Sequence, residues 1–210
     1  MPLVYQQNIN ETTRLGIWEI SENENYFAEV FPLQREISHP HKRLQHLAGR
    51  LLLRRLFSAF PLHDILIAAT RRPYLAEDPF HFSISHCGEY AAAVVSETKR
   101  VGVDIELFTQ KTVAIRHKFL TIAEQHLIID SLLSQLDECI SFTIAWSVKE
   151  ALYKWLATSS VDFKQHLHIE EIVPKDEFEG EVVCAVSKDF QEQVRVGYKI
   201  FDGFVLAYTK

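Results

Sequence analysis

Two carboxylates one residue apart, Asp104 and Glu106, stand in the run Val101-Gly102-Val103-Asp104-Ile105-Glu106-Leu107. A third, Glu150, stands in Trp146-Ser147-Val148-Lys149-Glu150-Ala151-Leu152-Tyr153-Lys154. Alternation in the first run puts Val101, Val103, Ile105 and Leu107 on one face of a strand and projects Asp104 and Glu106 together from the other. Three carboxylates are hard oxygen ligands, and Mg²⁺ is commonly held by one or two carboxylates plus substrate phosphates and water. Lys154, one turn beyond Glu150, places an ammonium where it can meet a phosphate beside such an ion. Two plainer readings compete. The D-x-E run can be a solvent-facing strand edge, and Glu150 with Lys154 can be a surface helix pair worth ~0.3–0.5 kcal/mol.

Around these residues lie other groups suited to anions. From Arg35 to Arg72 there are eight basic residues (Arg35, Lys42, Arg43, Arg50, Arg54, Arg55, Arg71, Arg72) against two acids, Glu36 and Asp64. The whole chain has net charge −6, so the remainder holds 14 basic residues against 26 acidic ones. A basic island in an acidic protein points to a compact polyanion such as a phosphorylated small molecule, or else to a solvated helix face; an extended nucleic-acid surface is not expected. Residues 41–59 read as a helix, with Leu44, Leu47, Ala48, Leu51, Leu52 and Leu56 on one face and Arg43, Arg50 and Arg54 in a stripe beside it, stopped by Pro61. In Thr70-Arg71-Arg72-Pro73-Tyr74, the proline biases Arg72 toward an extended backbone from which its planar fork can grip a phosphate. In His81-Phe82-Ser83-Ile84-Ser85-His86-Cys87, Ser85 and His86 sit at a strand end as a donor pair for phosphate, or as an ordinary loop histidine and its neighbour. The G-x-S-x-G elbow of a serine hydrolase is missing.

The elements that must position these groups follow from periodicity. Strand-like pieces fall around residues 4–5 and 15–20, then at 64–69, 80–85, 90–96 and 100–107. Thr121-Ile122-Ala123-Glu124 has the form of a capping box opening a helix. A second helix covers about 138–157, with Ala145, Val148, Leu152 and Trp155 or Leu156 on its buried side and Trp146, Glu150 and Lys154 on another. Strands follow near 167–173, 181–187, 193–200 and 203–209. This order predicts an α+β fold in two parts, 1–106 and 107–210. At 210 residues, one large or two small domains are expected. There is no run of eighteen apolar residues and no signal-like start, so neither a membrane span nor export is expected. Cys87, Cys139 and Cys184 are far apart, which fits a reducing cytoplasm rather than a disulfide framework or a structural zinc site.

Taken together, these runs resemble the 4′-phosphopantetheinyl transferases of the Sfp type. The matching pieces are Phe82-Ser83-Ile84-Ser85-His86, Val101-Gly102-Val103-Asp104-Ile105-Glu106 and Trp146–Lys154, in the family's order and spacing, and Lys42–Arg50 is similar to its R-x-x-x-L-A-G-R helix. The likeness covers about residues 40 to 156. It implies two pseudo-symmetric α+β halves in one chain, self-sufficient as a monomer. It also implies transfer of the 4′-phosphopantetheine arm of coenzyme A to a serine of an apo acyl or peptidyl carrier protein, with release of adenosine 3′,5′-bisphosphate. By the resemblance, Asp104, Glu106 and Glu150 hold Mg²⁺, Glu150 is also the base for the carrier serine, and Lys154 meets the transferred phosphate. Arg43, Arg50, Arg71, Arg72, Pro73, Ser85 and His86 then belong to the coenzyme A site.

Three positions depart from the family pattern. Arg71-Arg72-Pro73 stands where Gly-Lys-Pro is usual, Cys87 replaces a small hydroxyl residue, and Trp155-Leu156-Ala157-Thr158-Ser159-Ser160 lacks the glycines that often follow the lysine. A metal-dependent nuclease or phosphodiesterase also pairs Asp and Glu with Lys, but the acidic remainder of the chain argues against it. A non-catalytic coenzyme A-binding module is the other rival, and retention of all three carboxylates and Lys154 argues against that.

Overall fold

The alternating N-terminal runs build a hairpin of β1 (Leu3–Asn10) and β2 (Thr13–Glu19) in the computed structural model, which describes residues 2–28, 37–77 and 79–210. The segment α1 (Glu24–Ala28) follows, and then α2 (Pro40–Leu56). Pro40 opens α2 where its missing N–H is no loss, and the His39 side chain caps the first turn by accepting from Lys42 N. The leucines of α2 face β5 (His81–Cys87) and β6 (Tyr90–Ser96), which complete an antiparallel sheet of order β1-β2-β6-β5. The helix approaches closely because the residues beneath it are small. Ala91 and Ala93 of β6, on the face toward α2, are fully buried, and a Cβ on Gly49 would come within 2.6 Å of Ile84 Cγ2. Leu47, Leu51, Leu52 and Leu56 are sealed in this core, at about 1.5–3 kcal/mol each.

A second sheet is built by β7 (Val103–Leu107), β8 (Leu167–Pro174), β9 (Glu179–Ser187), β10 (Gln191–Phe201) and β11 (Phe204–Thr209), in the order β7-β11-β10-β9-β8. Three helices connect β7 to β8: α3 (Gln110–Phe119), α4 (Ile122–Leu132) and α5 (Glu138–Leu156). The capping box at Thr121 forms in full, with Thr121 Oγ1 accepting from Glu124 N and the Glu124 carboxylate accepting from Thr121 N. Asp137 caps α5, accepting from Ile140 N at 2.9 Å. Ala145, Val148, Ala151, Leu152, Trp155 and Leu156 of α5 fill the core over the sheet. Each unit thus repeats one plan, a long helix on an antiparallel sheet.

The two units part between Val101 and Gly102. The D-x-E strand therefore belongs by pairing to the second sheet, beside β11, where the sequence reading had placed it at the close of the first half. Local alternation identifies a strand but not its partner. The expected strand at 64–69 is mostly turn: a 3₁₀ turn at Leu62–Asp64 leads into a two-residue β3 (Leu66–Ile67) paired with β4 (Pro73–Tyr74). The helix expected to reach residue 59 stops at Leu56, where Phe57 turns extended. Neither α1 nor α3 was anticipated. Of the basic island, Arg35 lies outside the described residues, as does Glu36. Among the described residues no helix is long and apolar enough to cross a membrane. The three cysteines are free thiols.

Among the described residues, the non-glycine residues with positive φ are Arg71 (67°), Ala157 (61°) and Ser160 (57°), and all three lie in the stretches where the related pattern has glycine. Ala157 forms the left-handed stop of α5, a position glycine fills without strain. Ala157→Gly is expected to stabilise the fold by about 1 kcal/mol, read as a higher urea midpoint at unchanged slope. An unchanged or lower midpoint means that residue 157 carries no such strain.

Candidate active site

The site begins with an absence of side chain. A Cβ on Gly102 would fall on the carbonyl oxygen of Ala151 and lie 2.8 Å from the Trp155 amide nitrogen, so only glycine lets the chain entering β7 press against the last turns of α5. Thr209 pins this contact from the other side: Gly102 N donates to Thr209 Oγ1 at 2.9 Å, and Thr209 N donates to Gly102 O at 3.0 Å. From Gly102 onward, Val103 and Ile105 are fully buried on one face, and the alternate face, shared with Ala207 and Val205 of the core under α5, carries Asp104 and Glu106.

Lys154 of α5 closes the clasp. Its Nζ donates to Asp104 Oδ1 at 2.7 Å and to Val103 O at 3.0 Å. The helix pair that the plainer reading allowed is not what forms, because the ammonium turns to the strand rather than back to Glu150. β7 is the edge strand of its sheet, but it does not present Asp104 to solvent, since Asp104 is only 4 % exposed. Glu150 and Glu106 are half-buried. Burial pushes the Glu150 carboxyl up to about 7, helped by the negative charge of Asp104 and Glu106 and opposed by Lys154. Glu106 is likewise raised, first by burial and then by Asp104, with Lys154 and Lys111 opposing. The three carboxylates thus share one electrostatic neighbourhood, with more negative charge than one ammonium balances.

The donor set is all oxygen, which suits a hard cation, and the raised Glu150 and Glu106 mark a place where added positive charge would be stabilising. On that chemistry the residues fit Mg²⁺. Among the described residues, no group of three or more His, Cys, Asp or Glu side chains is drawn into a ready ligand cluster, and the ammonium of Lys154 is the cation seated on Asp104.

Sequence reasoning assigned nothing to Lys149, which proves fully buried. Its Nζ reaches Glu124 Oε1 at 2.6 Å, Phe119 O at 2.8 Å and Phe163 O at 2.9 Å, using all three N–H groups. Glu124 Oε1 also accepts from Ile169 N at 2.9 Å, while Oε2 holds Thr121 N and Oγ1. Burial pulls the Lys149 ammonium below its ordinary value and Glu124 holds it up. The capping box was legible; the second, inward duty of Glu124 was not.

The remaining sequence candidates lie in the first unit. Arg43 donates to Glu24 Oε2 at 2.8 Å and to Ile37 O at 2.7 Å. Arg50, expected in a stripe beside the apolar face, is 3 % exposed, with Nε donating to His46 Nε2 at 3.0 Å. Arg71 and Arg72 sit at the turn before Pro73, closed by Arg71 N donating to Ala68 O at 2.8 Å. Ser85 and His86 do not form a side-by-side pair. Both lie within β5, so alternation sends them to opposite faces, with Ser85 buried and His86 exposed.

With this geometry in hand, comparison with known proteins is specific. The family model of the 4′-phosphopantetheinyl transferase superfamily matches residues 100–209, a little over half of the chain and the whole stretch that builds the clasp. Enterobactin synthase component D of Salmonella austin is 36% identical over 117 residues, which take in 54% of this chain and 47% of that protein. Its counterpart of Salmonella typhi is 32% identical over 114 residues, with the same coverage. The match therefore spans about half the length of the curated relatives. The matched family region contains Gly102, the D-x-E strand and the Glu150–Lys154 helix together, and on that ground this chain belongs to the 4′-phosphopantetheinyl transferase superfamily.

Proposed function

We propose that the protein is a transferase of the Sfp type, moving the 4′-phosphopantetheine group from coenzyme A to a serine of an apo acyl or peptidyl carrier protein. The reading rests chiefly on the electrostatic coupling of Asp104, Glu106 and Glu150 around Lys154. In this proposal the serine oxygen attacks the phosphorus attached to the pantetheine arm. The new oxygen–phosphorus bond forms as the bond to adenosine 3′,5′-bisphosphate breaks, and the serine proton passes to Glu150, directly or through water. A general base of this kind contributes about 10²–10⁴-fold, and a cation bound beside Glu150 would favour the ionised carboxylate that the task needs.

Asp104, Glu106 and Glu150 would hold Mg²⁺, which when bound supplies positive charge against the diphosphate. Lys154 is proposed to orient and neutralise the transferred phosphate. Arg43, Arg50, Arg71, Arg72, Ser85 and His86 are proposed contacts for the phosphates of coenzyme A, with Pro73 shaping the turn that presents Arg71 and Arg72. The protein is proposed to act as a cytoplasmic monomer, without nucleic-acid or membrane partners. A metal-dependent phosphodiesterase or a silent coenzyme A-binding module would share much of the site but would modify no carrier.

Three outcomes are expected. Incubation with coenzyme A, Mg²⁺ and a panel of apo carrier proteins should add one phosphopantetheine mass to a carrier, read by intact-mass spectrometry. Cleavage of a nuclease substrate with every carrier unmodified would sink the proposal. Glu150→Gln should lower the transfer rate by at least about a hundredfold while leaving a cooperative thermal transition, because the amide cannot take the proton. Normal turnover would remove Glu150 from both duties. In the absence of coenzyme A, Mg²⁺ should raise the melting temperature of the unmutated protein and leave that of Asp104→Ala unmoved. Equal shifts in both would place the ion elsewhere.

A further inference from the structure

The ion pair of Lys149 and Glu124 lies outside the proposed chemistry, yet it is the most completely satisfied polar contact in the second unit. The ammonium spends its three N–H groups on Glu124 Oε1, on Phe119 O at the end of α3, and on Phe163 O in the segment after α5. Glu124 spends both oxygens on Lys149, on the start of α4 at Thr121, and on Ile169 N of β8. One buried charge pair thus joins α3, α4, α5, the following segment and the sheet. Its partners are directional, which an apolar contact is not: a tetrahedral ammonium with three fixed acceptors admits one axial position and one rotation of the helix that carries it.

The next residue along that helix is Glu150. The other buried polar side chains of α5, Ser141, Thr143 and Ser147, are short hydroxyls, and the neighbouring Val148, Ala151 and Leu152 are apolar side chains whose contacts are not directional. We infer that Lys149 and Glu124 are positioning residues, which set the rotation of α5 so that Glu150 faces Asp104 and Glu106 and Lys154 reaches Asp104. This inference rests on the transferase reading for its kinetic consequence, and on the clasp alone for its structural one.

The test is the double variant Lys149→Met/Glu124→Gln. It removes both charges together, and such replacements of buried pairs are commonly neutral or favourable for stability. The variant should melt within a few degrees of the parent. Its kcat for carrier modification should nevertheless fall by about tenfold or more, with KM for coenzyme A little changed. In its crystal structure α5 should be turned or shifted, with Lys154 Nζ no longer within hydrogen-bond distance of Asp104 Oδ1. A purely structural pair would move the melting temperature and not this split. Should the double variant not fold, Lys149→Arg, which keeps the charge opposite Glu124 but replaces the tetrahedral ammonium by a planar fork, should give the same split between kcat and KM. A folded variant with parental kcat and an intact Lys154–Asp104 contact overturns the inference. A parent protein that modifies no carrier overturns the transferase reading instead, and the crystallographic arm then decides the positioning role by itself.

Discussion

In the second unit Gly102 lies directly against the backbone of α5, and the site depends on that contact. A helix and a sheet normally stand apart by the thickness of their interdigitated side chains. Here one residue without a side chain removes part of that thickness at the point where β7 begins. The backbone carbonyl of Val103 and the carboxylate of Asp104 then come within reach of a single lysine. Asp104, Glu106, Glu150 and Lys154 lie on two elements some forty-five residues apart in the chain, and their convergence follows from that local thinning and from the hydrogen bonds of Thr209 that hold it.

The same closeness creates an electrostatic load. Three carboxylates with restricted access to water face one ammonium, and Glu150 responds by holding its proton more tightly than an exposed glutamate does. A stability-optimised fold would not keep such a cluster. Its persistence in a well-packed helix–sheet core is the ordinary mark of a site built for a charged ligand. The contrast with Lys149 and Glu124 is instructive: that pair is just as buried, but each oxygen and each N–H has a partner, so it organises the fold.

Much of this was legible in the sequence, for identifiable reasons. Alternation in Val103–Leu107 located β7 and the face of Asp104 and Glu106, and the 3.6-residue period located α5 within two residues of its ends. The capping box at Thr121 was legible because it is purely local. What escaped depends on contacts distant in the chain. Strand pairing moved β7 into the second sheet. Arg50 was read in a stripe beside the apolar face and Lys149 was given no role, and both are buried by tertiary packing. The segment α3 has too weak an apolar stripe to announce itself, and the strand expected at 64–69 gave way to the turn chemistry around Arg71 and Pro73.

The pairing of β7 with β11 has a temporal side. Val103 lies opposite Tyr208, so the strand bearing Asp104 and Glu106 has no sheet to join until the chain some hundred residues further on has been made. At ribosomal speeds of about 5–20 residues per second, that is a wait of roughly 5–20 seconds. Through that interval the nascent chain can hold a folded first unit and finished helices but no assembled carboxylate cluster. The carboxylate cluster therefore assembles late in synthesis and all at once, and a nascent chain halted before residue 204 lacks it.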